Sequence, residues 1–259
     1  MKTNLSGRTA LITGSTSGIG LGLAISLAEQ GANIVLNGFG DHLPAQRQIE
    51  ALGVKVAYHA ADMTRAEEIK DMIHFAQKTM GSLDILVNNA GIQHVANIED
   101  FPPEKWDSII AINLSSSYHT IHHAMPAMKA ANWGRIINIS SVHGLVASPQ
   151  KVAYVSAKHG LIGLTKVVAL ETAQTGVTCN AICPGWVLTP LVQAQVDAKA
   201  KELGVSVEKA TELLLGEKMP SKQFTTPAEL GDLAVFLCSD TGHNIRGVAW
   251  NMDGGWAAQ

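Results

Sequence analysis

The sequence predicts an α/β protein organised as one doubly wound parallel sheet with helices on both faces. Three observations carry this expectation. Short apolar runs alternate with helical patterns along most of the chain. The first run opens directly into a glycine-rich loop and then a helix. Small and polar residues recur where the predicted strands reach their carboxyl ends, the edge at which such sheets bind ligands. At 259 residues the chain is long enough for one large domain, predicted to span 1–259, with a substantial core.

Thr9 to Thr13 (TALIT) reads as a strand, followed by Gly14-Ser-Thr-Ser-Gly18-Ile-Gly20. LGLAISLAEQGA then shows helical periodicity and stops at Gly31, with a second strand, NIVL, behind it. Glycines in this position allow a tight turn and close backbone approach. The following helix N-terminus presents free N–H groups to a pyrophosphate. Such loops also serve simply to turn a chain, and it is the β-α-β setting that favours the ligand reading. The alternation continues with VKVAYHA to near Asp62, the helix RAEEIKDMIHFAQKTM to Gly81, and LDILVNN to Ala90-Gly91. Helical segments between Trp106 and Ala131 precede the strand RIINIS, which ends at Ser140-Ser141. After a polar loop comes the helix carrying Tyr154 and Lys158, then the strand VTCNAIC and Pro184-Gly185. From about 188 to 224 two polar helices interrupt the alternation, an insertion placed to act as a lid or as an oligomer contact. PAELGDLAVFLCSD is the last helix and GVAWNMDGGW the last strand and turn.

Composition excludes several classes of function. Hydrophobic residues make up 46% and charged residues 16%, as in an ordinary globular protein. A net charge of -3 gives no electrostatic reason to expect nucleic acid. No apolar run is long enough for a membrane span, and the N-terminus lacks a signal-peptide core. Cys179, Cys183 and Cys238 form no C-x-x-C pair, which points to a reducing compartment, the cytoplasm by default. His119 and His123 share a helical face beside His122, but no third ligand or metalloprotease signature accompanies them, so no metal is expected.

The chemistry concentrates at Tyr154-x-x-x-Lys158. A spacing of four places both side chains on one helical face. Tyrosine titrates near 10, too high for a good proton acceptor at neutral pH, and a nearby ammonium is expected to lower that value. Ser141 stands at a strand end, where it can hydrogen-bond the oxygen on which Tyr154 acts. The three together form a general acid/base for an alcohol or carbonyl. Tyr and Lys also meet at this spacing by chance on solvated helices, so the pair is informative only in company.

That company is Thr13-Gly14-x-x-x-Gly18-Ile-Gly20, Asn88-Asn89-Ala90-Gly91, Ser141, Tyr154-x-x-x-Lys158 and Pro184-Gly185, in this order. With these motifs the whole chain resembles the short-chain dehydrogenase/reductases. The resemblance implies a Rossmann-type sheet of about seven strands, hydride transfer with a nicotinamide cofactor, and a homotetramer. It implies that Ser141 orients substrate, Tyr154 exchanges the proton, Lys158 binds ribose and tunes Tyr154, and Asn113 supports a proton relay. It places cofactor against Gly14, Thr16, Ser17, Gly18, Ile19 and Gly20, and against Phe39, Asp62 and Met63. Asn89, Ala90 and Gly91, together with Pro184, Gly185, Val187 and Thr189, complete that set. One departure bears on cofactor choice. The second strand ends in Asn37-Gly38-Phe39, without the usual Asp of NAD-using relatives. There is also no base here or in Ser15-Thr16-Ser17 to meet a 2′-phosphate, and the expectation is NAD.

Within the family, NNAGIQH, SSVHGLVASPQKVAYVSAKHG, CPGWVLTPLV and DGGW are similar to members acting on short 3-hydroxy acids. This implies that Gln93, His143, Lys151 and Gln195 surround a carboxylate while Trp186 and Trp256 wall the site. The implied reaction interconverts (R)-3-hydroxybutyrate and acetoacetate. Each residue has a plainer role open to it: Lys151 as a solvated loop lysine, Gln195 as a polar lid residue, His143 as loop packing and Gln93 as a backbone cap. The tryptophans can equally be core or interface residues. Two other functions stand beside this one, a 3-oxoacyl thioester reductase and a nucleotide-sensing protein on a retired enzyme fold. The first wants NADPH and a basic surface, and the second has no need of an intact acid/base set.

Overall fold

The computed structural model describes residues 3–216 and 218–258. Seven strands form one sheet in the order β3-β2-β1-β4-β5-β6-β7, every neighbouring pair parallel. They are β1 (Thr9–Ile12), β2 (Asn33–Asn37), β3 (Val56–His59), β4 (Ile85–Asn88), β5 (Gly134–Ile139), β6 (Val177–Pro184) and β7 (Ala249–Met252). The central strands are buried on both faces, which explains why they read as continuous apolar runs. Successive side chains divide between two cores. Ala10, Ile12, Ile34, Leu36, Ile85 and Val87 meet α1 (Gly18–Glu29) and α9 (Pro227–Cys238) on one face. Leu11, Val35, Leu86 and Ile136 meet α3 (Ala66–Met80), α5 (Ser116–Ala130) and α6 (Val152–Glu171) on the other.

Two features depart from the sequence reading. The segment after β2 holds a short helix, α2 (Leu43–Glu50), which the apolar pattern does not announce because only Ala45 and Ile49 are buried. Between α4 (Pro103–Ile110) and α5 the helix widens into a π turn, Ala111–Ser115, with Asn113 inside it. The interruption after β6 is two helices, α7 (Pro190–Leu203) and α8 (Val207–Gly216). No helix among the described residues is long and apolar enough to cross a membrane. None of their His, Cys, Asp and Glu side chains gather in threes placed to hold a metal ion.

Helices α1 and α9 approach closely because small residues face each other. A Cβ at Gly22 would lie 3.0 Å from the backbone C and O of Pro227, and one at Gly231 would collide with Ser26. Gly163, inside α6, has open space beside it. Chemical denaturation should therefore separate two identical substitutions. Gly22→Ala should lose about 1–3 kcal/mol by forcing the helices apart. Gly163→Ala should gain about 0.5–1 kcal/mol from the helix preference alone.

Candidate active site

At the carboxyl edge, the loops after β1 and β4 are knotted together. The Thr13 hydroxyl accepts from the backbone N–H groups of Asn89 and Ala90, each at 3.0 Å. The Asn89 side-chain amide donates to the carbonyls of Thr13 and Gly14, each at 2.9 Å. Asn37 knots the next strands, donating to the carbonyls of His59 and Ala61 and accepting from Gly14 N–H. Its side chain is therefore spent on the fold. Gly14 and Gly18 take positive φ angles of 62° and 57°, and α1 starts at Gly18 with no acidic residue in its first turn. The N–H groups of that turn lack intrahelical acceptors, as at any helix start. This loop fits the anionic pyrophosphate of a dinucleotide.

A cavity of about 820 Å³ lies beside the loop. It brings together Ile19, Asn89, Gly91, Gln93, Ser141, His143, Lys151, Tyr154, Lys158 and Pro184. Gly185, Trp186, Val187, Thr189, Gln195 and Trp256 complete the expected residues at its wall. Gly14, Thr16, Ser17, Gly18, Gly20, Phe39, Asp62, Met63 and Ala90 do not line it. Phe39 is exposed, and the Thr16 hydroxyl donates to its carbonyl at 3.3 Å. The Met63 side chain is buried in the core, so only its backbone is available to a ligand. The Asp62 carboxylate accepts from the N–H and hydroxyl of Thr64, which hold its pKa below the usual value. Asn113 also stands outside the cavity. Its amide clasps Ile92 from both sides, donating to the carbonyl and accepting from the N–H at 2.9 Å each. Sequence reasoning missed the apolar wall of Ile92, Val95, Leu191 and Val192. The available signal was large apolar residues placed just after NNAG and at the start of α7, segments that are otherwise polar.

Tyr154 and Lys158 project from α6 toward the end of β5. The Lys158 ammonium donates to the Ile139 carbonyl at 2.7 Å and sits 5.5 Å from the centre of the Tyr154 ring. Burial lowers Lys158 to about 8. The expected lowering of Tyr154 is not what the protein alone exhibits. Burial raises the phenol above its ordinary value, and a hydrogen bond with Ser141 works in the opposite direction. The physical reason is that desolvating a phenolate outweighs the neighbouring hydrogen bond, while the ammonium is directed at a strand carbonyl. Thr189 caps α7, its hydroxyl accepting from Val192 N–H at 3.3 Å.

Around Lys151 the cavity carries positive and neutral donors. Lys151, half-buried, has its pKa lowered by desolvation and forms no ion pair among the described residues. His143 is buried beside it, its ring edge-on to Trp256 at 5.2 Å. Burial, then Lys151, Lys218 and His159, push it down to about 4, so it is neutral at physiological pH. Gln93 and Gln195 are exposed at the mouth.

Ser141, Tyr154 and Lys158 thus stand together beside a loop whose backbone fits a pyrophosphate. The model of the short chain dehydrogenase family matches residues 8–200. D-beta-hydroxybutyrate dehydrogenase of Cupriavidus necator is 65% identical over 257 residues, 98% of this chain and 100% of that protein. The enzyme of the same name from Rhizobium meliloti is 54% identical over 260 residues, 97% of this chain and 99% of the other. Among solved structures, L-sorbose reductase from Gluconobacter frateurii, complexed with NADPH and L-sorbose, superposes with a TM-score of 0.93. It shares 32% identity, with 99% of this chain and 98% of that one covered. The chain belongs to the short-chain dehydrogenase family. It is an oxidoreductase, and its family works with nicotinamide cofactors.

His143 gives a pH test of the packing. Its folded value of about 4 lies below the ordinary 6.5, so as pH falls the unfolded chain takes the proton first. Stability from this group is complete above about 6.5 and is lost toward about 4. Between pH 7 and pH 5 the loss should be about 2 kcal/mol by urea denaturation. His143→Gln should flatten that slope, and an unchanged slope would place the imidazole in solvent.

Proposed function

We propose that this oxidoreductase interconverts (R)-3-hydroxybutyrate and acetoacetate with NAD. One observation supports the substrate class above the others. The Lys151 ammonium faces the cavity that holds Ser141 and Tyr154, and it forms no ion pair among the described residues. A partly desolvated cation without an anion is costly, and the carboxylate of a short 3-hydroxy acid supplies one. Gln93, His143 and Gln195 add neutral donors, and Trp186 and Trp256 bound the apolar end. The names of the two bacterial relatives favour the same acid.

In this reading Ser141 hydrogen-bonds the reacting oxygen and Tyr154 takes the hydroxyl proton during oxidation, returning it during reduction. Lys158, held by the Ile139 carbonyl, keeps a positive charge beside the ring and stabilises the phenolate as it forms. Asn113 holds Ile92, and through it the neighbouring Gln93. The chemistry that NAD would supply there is acceptance of the hydride from the carbinol carbon, and its return from NADH in reduction. The 14–20 loop would hold its pyrophosphate, with Phe39, Asp62, Met63, Ala90 and Gly91 toward the adenosine and central part. Pro184, Gly185, Val187, Thr189 and the Lys158 ammonium would hold the nicotinamide riboside. The 188–224 segment lines the cavity through Leu191, Val192 and Gln195, so its closure would exclude water.

Preference for NAD rests on charge. No Lys or Arg occurs between Gly14 and Gln46, and Asp41 adds an acid after β2. A 2′-phosphate would meet no cation there. Steady-state kinetics should give a much higher kcat/KM with NAD than with NADP, and comparable values would sink this part of the reading.

The carboxylate is tested by Lys151→Ala. Removing the cation should cost about 2–4 kcal/mol, roughly 30- to 1,000-fold in kcat/KM for 3-hydroxybutyrate. A neutral secondary alcohol, already turned over poorly, should be little affected. An equal fall for both substrates would mean that Lys151 only shapes its loop.

A further inference from the structure

The imidazole of His143 is gripped by the protein at one nitrogen and open at the other. Its Nε2 lies 2.9 Å from the Ser148 hydroxyl. Its ring packs edge-on against Trp256 at 5.2 Å and against Tyr154 at 6.0 Å, which fixes its plane. Its backbone N–H donates to the Ser141 hydroxyl at 3.1 Å. Nδ1 has no protein partner among the described residues, and it is not one of the buried polar atoms left unsatisfied. It therefore retains accessible surface, and His143 is one of the residues that line the cavity.

The loop presenting Ser148 is itself held firmly. The Gln150 carbonyl accepts from Ala96 N–H at 3.1 Å, and the Gln150 side chain donates to Asn97 at 3.1 Å. Gln150 adopts a φ of 65°, a left-handed conformation that a non-glycine residue keeps only when its surroundings impose it. Pro149 restricts the chain beside it. Ser148 and Lys151 thus stand on one firmly held loop, three residues apart: Lys151 lines the cavity, and Ser148, outside its lining, meets the His143 ring.

We propose that Ser148 is a positioning residue that sets the tautomer of His143. Its hydroxyl donates to Nε2, which leaves the neutral ring's proton on Nδ1 and aims that N–H into the cavity. In a neutral imidazole one nitrogen donates and the other accepts, and the hydrogen bond at one decides the state of the other. The opposite tautomer would present a lone pair to the cavity and repel an anionic oxygen. The groups facing the ring are Lys151, Lys218, His159, Tyr154 and Trp256, none of them an anion that would draw a second proton onto it. The inference rests on the carboxylate reading for what Nδ1–H recognises, while the tautomer itself does not depend on substrate.

Nitrogen-15 NMR of the imidazole in the unliganded enzyme tests the tautomer, with His143→Gln used to assign the signals. Wild type should have a protonated Nδ1 and an unprotonated Nε2. Ser148→Ala should shift the ring toward the other tautomer or a mixture. The same variant should raise KM for 3-hydroxybutyrate roughly five- to tenfold, the effect of one neutral hydrogen bond, with kcat less affected. Turnover of a neutral secondary alcohol should not change, and Ser148→Thr should restore both spectrum and KM. A protonated Nε2 in wild type overturns the inference, as does a Ser148→Ala enzyme with unaltered spectrum and KM. Failure of the carboxylate reading looks different: Lys151→Ala would then lose equally on the acid and the neutral alcohol, whatever Ser148→Ala did to the ring.

Discussion

The functional edge depends on the joint between β1 and β4. The chain leaves β1 toward β2 and β3 on one side and resumes at β4 on the other, so the loops diverge and a crevice opens between them. What keeps that crevice in shape is a set of neutral groups, the Thr13 hydroxyl and the Asn89 amide, bonded across its floor. A carboxylate there would oppose an anionic ligand. An apolar side chain would leave the Thr13 and Gly14 carbonyls without partners in a partly buried place, a cost comparable to a lost hydrogen bond for each. Asn37 extends the same solution to β2 and β3.

Electrostatics then divides the cavity. Two lysines face it, with different attachments. Lys158 is fully buried and tied to a strand carbonyl, so its charge is part of the fixed framework. Lys151 is only half-buried and forms no ion pair among the described residues, so its charge is available to what enters. Between them His143 is kept neutral by the desolvation and cationic neighbours that lower its pKa. The result is a site whose positive potential is not neutralised from within. That arrangement costs folding energy, and an anion that bound there would offset the cost.

The sequence makes legible those parts of this molecule that repeat a pattern. Parallel strands buried on both faces read as apolar runs, and the loops that must bend tightly at their ends carry glycine. The Tyr154–Lys158 pair follows from helical spacing, and family motifs bring most of the cavity residues with it. Other features leave little trace. Helix α2 buries only two side chains, too few to set a period. The π turn at Asn113 adds a residue to a helix without altering its composition. Asn37 looks like a substitution at a ribose-binding position, yet its amide stitches strands. Ser148 is an ordinary polar loop residue until the fold sets it against His143. The raised phenol of Tyr154 also escapes sequence reasoning, because desolvation depends on what surrounds the ring and spacing records only which residues are near.

The sheet order has a consequence for how the protein reaches its working state. β1 pairs locally with β2, but its other neighbour is β4, with Ala10 set beside Ile85. Residues of the two halves meet only after that distant pairing is made, and loop-closure entropy must be met before such contacts give anything back. Helices and the β1–β2 unit can form early in refolding, whereas the crevice cannot. Recovery of helical circular dichroism should therefore run ahead of recovery of turnover, and the interval between them measures the time the two halves need to find each other.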